Sequence, residues 1–251
     1  MLELSNISVG YGEKTVLRDV TLSFPKGMLT AIVGTNGSGK TTLLKTALGL
    51  LAPTAGSVLL DGVPLCDMTR AEIARRISFL AQSKKVPDMT VRDAVLHGRF
   101  PYLSYPRRYR AHDREIASAA MEKMGVARYA DTPLCALSGG ERQNAYIAMT
   151  LAQDTETLLL DEPTASLDVR NAHALLKTLK QLACEGRSVA LVTHDLPLAF
   201  SFADTVAVVS ENGLSTVDTP ARVLASGAVK TAFGVELAYS DAAGYYYRYG
   251  I

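Results

Sequence analysis

Eight consecutive residues, Gly34-Thr35-Asn36-Gly37-Ser38-Gly39-Lys40-Thr41, have the types needed to hold a polyphosphate. They fit G-x-x-x-x-G-K-[ST], a phosphate-loop pattern that belongs between a strand and a helix. Its glycines let backbone N–H groups converge on phosphate oxygens without Cβ clashes. In this reading Lys40 reaches the β- and γ-phosphates and the Thr41 hydroxyl binds Mg²⁺. The alternative, a glycine-rich turn that binds nothing, leaves Lys40-Thr41 without a reason to follow the glycines. A second constellation is Leu158-Leu159-Leu160-Asp161-Glu162, an apolar run ending in two carboxylates. Successive strand residues point to opposite sides, so the two acids need not share one task. Asp161 suits Mg²⁺, through a water, and Glu162 suits polarising an attacking water as general base. An acidic strand end is common in any fold and gains weight only beside the phosphate loop. The third, Leu137-Ser138-Gly139-Gly140-Glu141-Arg142-Gln143, opens a helical run that continues through Gln153. Small residues there let a phosphate approach exposed N–H groups and the positive end of the helix dipole.

The elements that must position these groups follow from periodicity. Residues 2–9 alternate as a strand should, and 16–24 read as a second strand. Residues 28–33 form a nearly continuous apolar run, the mark of a buried parallel strand, and end at the glycine loop. Helical periodicity follows over 40–51. Short strands are expected at 57–60, closed by Asp61-Gly62, and at 77–80. From about 90 to 132 the pattern turns helical, with helices at 91–98, at 112–124 and after Gly125, around a Pro/Tyr/Arg-rich loop at 100–110. Buried strands return at 157–160 and 189–192, flanking a helix at 171–184. The tail carries Tyr245, Tyr246, Tyr247 and Tyr249, for which packing on the domain is the expected role.

Composition narrows the class. With 251 residues, 48% hydrophobic and 20% charged, the chain can bury a full core as one α/β domain with an insertion. No apolar run approaches the roughly 18 residues of a membrane span, and the N-terminus reads as a strand rather than a signal peptide. Cys66, Cys135 and Cys184 lie far apart without metal-ligand spacing, which suits reduced thiols in a cytoplasmic protein. The four histidines are equally scattered, which argues against zinc. The net charge of +1 hides an asymmetry: residues 70–114 carry 11 Lys/Arg against 4 Asp/Glu, an excess of +7, leaving −6 elsewhere. Such a region is either a solvated basic surface or a face turned toward anionic lipid or an acidic partner. Nucleic acid, which calls for a basic balance over the whole domain, is disfavoured.

Taken together, the phosphate loop, the Asp161-Glu162 pair and the Leu-Ser-Gly-Gly-Glu stretch about a hundred residues after the loop resemble the ATP-binding-cassette (ABC) ATPases. The resemblance covers the chain from Tyr11 to at least His194. It implies a P-loop NTPase cassette over 1–251: a RecA-like α/β core, an antiparallel β subdomain, and an α-helical subdomain inserted at roughly 90–135. It implies ATP and Mg²⁺ as cofactors. Tyr11 resembles the aromatic that stacks on adenine, and is otherwise a strand-end tyrosine. The loop residues 34–41 and Thr42 hold the phosphates. Gln82 resembles the glutamine that senses Mg²⁺ and water, so Thr41, Gln82 and Asp161 form the metal set. Glu162, His194 and Gln82 form the catalytic set, His194 contacting the γ-phosphate. Ser138, Gly139, Gly140 and Glu141 then meet the ATP held by an opposite copy. Asp168, in the loop Ser166-Leu167-Asp168 that communicates between copies, joins the nucleotide contacts.

The resemblance implies two head-to-tail copies with two ATP molecules sandwiched between them. With one cassette and no span, the translocation pathway belongs to a separate polytopic permease, at the cytoplasmic face of the cell membrane, with a solute-binding protein involved indirectly. The segment His97-Gly98-Arg99-Phe100-Pro101-Tyr102 is similar to a Gly-Arg-x-Pro segment of importers for iron–siderophore, haem and cobalamin complexes. Other transporter ATPases of different cargo or direction, and ATPases acting on DNA or ribosomes, are the alternatives. The chain departs from its relatives at Asn144, where arginine is usual, at Met149-Thr150, where Arg-Ala is usual, and at Thr35, where proline is frequent.

Overall fold

The computed structural model describes residues 1–82, 86–211 and 213–248. The expectation for Tyr249 lies outside the described residues. Two sheets organise the chain. The first is antiparallel, in the order β2-β1-β4-β5, from β1 (Leu2–Tyr11), β2 (Lys14–Phe24), β4 (Ala55–Leu60) and β5 (Val63–Pro64). Leu2 and Leu4, then Ile7 and Val9, point inward along β1, a period of two broken once by the register shift between Leu4 and Ile7, where Asn6 takes φ 49°. The second sheet, order β10-β9-β3-β8-β7-β6, is built from β3 (Leu29–Gly34), β6 (Ile77–Leu80), β7 (Thr157–Asp161), β8 (Ser188–Val192), β9 (Thr205–Ser210) and β10 (Gly213–Asp218). All its neighbours run parallel except β10, which is antiparallel to β9. Every residue of β3, β7 and β8 is buried, as expected of central strands covered on both faces.

Helix α1 (Lys40–Ala47) lies between the sheets, touching β1 and β2 on one side and β3 and β7 on the other. It is shorter than the 40–51 periodicity predicts, because the chain turns at Gly49, whose φ of 65° suits a left-handed C-terminal stop. α2 (Arg70–Arg76) starts from a Thr69–Glu72 capping box and leads into β6. The helical part consists of α3 (Val91–His97), α4 (Ala111–Lys123) and α5 (Gly139–Ala152). They share a core through Val91, Val95, Ala117, Met121, Ile147 and Leu151. The helix expected after Gly125 is only one tight turn, Ala127–Tyr129. α6 (Val169–Cys184) buries Leu175, Leu176, Leu179 and Leu182 at helical spacing against the same core.

The Gly-Arg-x-Pro segment proves to be a lock between α3 and α5. A Cβ on Gly98 would stand 2.2 Å from the Met149 carbonyl oxygen. Arg99 is buried, donating to Asp113 Oδ1 at 3.1 Å and to the Ala152 carbonyl at 3.0 Å. Its guanidinium lies 4.0 Å from the Tyr102 ring centroid, and the Tyr102 hydroxyl donates to the Gln153 carbonyl. Met149 itself packs on the helical core, and the Thr150 hydroxyl donates to the Tyr146 carbonyl. Beyond β8 the chain adds α7 (Leu196–Phe202), α8 (Pro220–Ala225), α9 (Ala228–Phe233) and a hairpin of β11 (Glu236–Ser240) and β12 (Gly244–Arg248). None of the described helices is long and apolar enough to cross a membrane.

Candidate active site

The parallel strands β3, β6, β7 and β8 end on one edge of the sheet, where ligands of open α/β sheets bind. That edge brings together Gly34, Gln82, the Asp161–Glu162 pair and His194. Gly34 closes β3 where no side chain fits: a Cβ would stand 2.3 Å from the Val209 carbonyl oxygen. Gly37 and Gly39 take φ of 81° and 102°, conformations open to glycine. Lys40 opens α1 and turns back over the loop, donating to the Gly34 and Thr35 carbonyls at 2.8 Å each. Burial holds its ammonium below the ordinary 10.5, against the opposing pull of the Glu162 and Asp161 charges.

Thr41 Oγ1 donates to Asp161 Oδ2 at 2.8 Å. The second carboxylate oxygen, Asp161 Oδ1, is buried and has no hydrogen-bond partner among the described residues, as is Ser38 Oγ in the loop. Burial first, and then the neighbouring Glu162 charge, push the Asp161 carboxyl above its usual range, against the Thr41 hydrogen bond and Lys40. A folded value above the unfolded one means that this group costs stability as pH rises through that window, and the cost is complete above it. Asp161→Asn is therefore expected to raise the melting temperature of the nucleotide-free protein at pH 7, by about 2–4 °C per kcal/mol relieved. Scanning calorimetry checks this; a lower melting temperature contradicts it.

Glu162 has φ 51°, a left-handed conformation that costs a non-glycine residue on the order of 1–3 kcal/mol. Its N–H is held by the Val192 carbonyl at 3.0 Å. The carboxylate is bridged: Gln82 Nε2 donates to Oε2 at 2.7 Å, and His194 Nε2 lies 2.5 Å from Oε1. A cleft of about 300 Å³ opens there, bounded by Asn36, Gly37, Gly39, Lys40, Thr41, Thr42, Gln82, Glu162 and His194. Sequence reasoning missed its tenth wall, Val16. The γ-methyl of that β2 valine would sit 2.9 Å from a Cβ on Gly39, so the antiparallel sheet presses on the loop. Only the pairing of the two sheets carries that signal. Tyr11 ends β1, 51% exposed, and does not border the cleft.

Ser138, Gly139, Gly140 and Glu141 lie apart from the cleft, at the start of α5. Ser138 caps the helix: its N–H and hydroxyl donate to Glu141 Oε2 at 3.0 and 2.6 Å, and Glu141 N–H returns to Ser138 Oγ. Ser138 Oγ–H, the Tyr129 hydroxyl and the Ser138 N–H together hold the Glu141 carboxyl down to about 2. Its carboxylate is thus spent on the cap, while Gly139 is exposed and Gly140 half-buried. Cβ atoms on Gly139 and Gly140 would come within 3.9 and 3.5 Å of Ser166 and Leu167, so this turn and the loop after β7 form one surface. Gln143 Nε2 ties them by donating to the Pro163 carbonyl, directly after Glu162. Asp168 begins α6 as its cap, accepting from the Asn171 N–H at 2.7 Å. Asn144 is half-exposed on α5, and nothing in the structure explains the departure there.

A glycine phosphate loop at the end of a parallel strand, a hydroxyl–carboxylate pair beside it, and an acid held between glutamine and histidine define a P-loop ATPase of the cassette type. The model of the ABC transporter family matches residues 17–165. The chain is 37% identical to the petrobactin import ATP-binding protein FpuD of Bacillus anthracis, over 94% of this chain and 87% of that one. It is 38% identical to the ferric enterobactin transport ATP-binding protein FepC of Escherichia coli, over 94% and 88%. Against the hemin import ATP-binding protein HmuV of Pseudomonas entomophila it is 36% identical, over 94% of each. Among solved structures, a metal-chelate-type ABC transporter in an inward-facing conformation superposes with TM-score 0.84 at 25% identity, over 99% of this chain and 97% of that one. The dimeric cassette MJ0796 superposes with TM-score 0.77 at 27% identity, over 88% and 99%. This chain belongs to the ABC transporter family, as an ATP-binding cassette that hydrolyses ATP.

Proposed function

We propose that this chain is the ATPase subunit of an importer that takes up an iron–siderophore, haem or cobalamin complex through a separate permease. Its relatives named above, and a cobalamin import ATP-binding protein of Halobacterium salinarum, supply the cargo class. One observation carries the catalytic part: a single acid, Glu162, held between Gln82 and His194 at the mouth of a phosphate loop. In this reading residues 1–251 form one cassette with its helical insertion at roughly 90–135. Residues 34–41 and Thr42 hold the triphosphate, and Tyr11 stacks on adenine.

Thr41 Oγ1 and the unpartnered Asp161 Oδ1 are hard oxygen donors side by side, a set suited to Mg²⁺. Bound there with Gln82, the ion would neutralise charge on the β- and γ-phosphates. The chain's own residues do the rest. Lys40 exchanges its loop carbonyls for phosphate oxygens. Glu162 accepts a proton from the attacking water, and His194 fixes the carboxylate and reaches the γ-phosphate. Ser138, Gly139, Gly140 and Glu141 complete the pocket of a second copy, with Asp168 at the seam. Ligand affinity that differs between closed and open pairs is what can drive the permease.

The assembly would sit at the cytoplasmic face of the cell membrane, and a solute-binding protein would deliver cargo on the far side. The test is co-expression with a candidate polytopic permease in vesicles. Hydrolysis is expected to rise with the permease and its loaded binding protein, and to ignore DNA and ribosomes. Stimulation by DNA or ribosomes instead would overturn the transport reading.

A further inference from the structure

Helix α7 follows His194 directly and is too short to hold its own position. It has seven residues, and isolated helices below roughly 12–15 residues are marginal in water. Its place is therefore set by what packs on it. Leu196, Ala199 and Phe200 join Ala31, Val33 and Val206 of the six-stranded sheet in one buried cluster. The C-terminal hairpin completes that enclosure. β12 packs on α7, and the Tyr245 ring meets Phe200 edge-on at 5.4 Å between centroids. Tyr239 rests on Tyr245 at 4.9 Å, and Leu237 is buried in the same cluster.

The connection from α7 to the site is equally short. The Asp195 carboxylate caps α7 by accepting from the Leu198 N–H at 3.0 Å, and its own N–H donates to Thr193 Oγ1 at 3.2 Å. His194 thus stands between the end of β8 and the first turn of α7. A shift of α7 must displace the imidazole that lies 2.5 Å from Glu162 Oε1. We propose that the C-terminal tyrosine hairpin is a brace on α7 that holds His194 against Glu162, with Tyr245 as its positioning residue. The brace rests on the role given to His194 above. The hairpin lies far outside residues 17–165, the part matched by the family model.

The experiment is a double-mutant cycle on the full-length chain, following release of labelled phosphate so that slow rates are resolved. Tyr245→Ala is expected to lower kcat about five- to tenfold, well within the 10² that an ångström of misplacement can cost, with KM for ATP within about twofold. Tyr245→Phe, which keeps the ring on Phe200, is expected to match the unaltered chain. His194→Ala lowers kcat strongly, and adding Tyr245→Ala to it then changes nothing further, because coupled positions are not additive. Additive losses, or an unchanged kcat in folded Tyr245→Ala protein, overturn the brace and leave His194 in its role. Normal hydrolysis by His194→Ala removes that role and the brace with it. Should Tyr245→Ala fail to fold, Phe200→Leu, which trims the other half of the ring contact, takes its place in the cycle with the same outcomes.

Discussion

Glu162→Gln is expected to slow ATP hydrolysis by roughly 10²–10⁴, the usual loss on removing a general base. That corresponds to about 2.7–5.4 kcal/mol of barrier. The substitution isolates the base because the surroundings survive it. A glutamine oxygen still accepts from Gln82, and its amide faces His194 where Oε1 stood. The left-handed backbone at 162 is no harder for glutamine than for glutamate. Neither Lys40 nor the Thr41–Asp161 pair loses a partner, so ATP binding is expected to persist, and the unhydrolysed nucleotide to favour the paired state. Single-turnover hydrolysis beside equilibrium ATP binding makes the check. Near-normal turnover would remove Glu162 from its assigned role; lost ATP affinity would mean that the carboxylate organises the loop instead.

The second large effect concerns stability. Arg99→Ala is expected to cost about 3–5 kcal/mol, because it strands the Asp113 carboxylate in a buried site. Burial alone would push that carboxyl up, but the Arg110 N–H and the Arg99 guanidinium outweigh it and hold it below the ordinary 3.8. With the folded value depressed, the pair's stabilisation is present above the unfolded value and is lost as pH falls through the folded one. The variant also leaves the Ala152 carbonyl at the end of α5 without its donor and the Tyr102 ring without its nearer cation, Arg75 remaining at 5.9 Å. Urea denaturation at pH 7, with hydrogen exchange over α3 and α4, reads the outcome. Arg99→Lys should recover part of the charge but not the flat contact with Tyr102. A cost below about 1 kcal/mol would mean that the Arg99–Asp113 pair adds little to the lock.

Much of the core was legible in sequence because buried parallel strands are continuous apolar runs. The runs at 28–33, 157–160 and 189–192 are the centre of the six-stranded sheet, displaced by a residue at most. Helix ends were less legible. The apolar pattern at 40–51 continues past the point where Gly49 turns the chain, since periodicity records a buried face rather than a helical backbone. The region beyond His194 was the least legible. Its hairpin is short, and Tyr245 packs on Phe200 of α7, adjacent in space but some forty residues away, while Tyr246, expected to pack on the domain, is exposed.

The same division runs through the site. Residue types and spacing alone marked the phosphate loop and the serine–glycine turn, because each is one contiguous stretch, and marked the acid pair once it was read beside the loop. Tertiary structure alone decided that Gln82 and His194 converge on one carboxylate and that Val16 walls the loop. It also decided that the Gly-Arg-x-Pro segment packs as a lock, whereas the Ser138–Glu141 cap is a local contact three residues apart. Each of the tertiary facts depends on strands of separate register ending at one edge, or on helices meeting at one point. Such meetings are set by long-range packing, which leaves no mark at a fixed spacing along the chain.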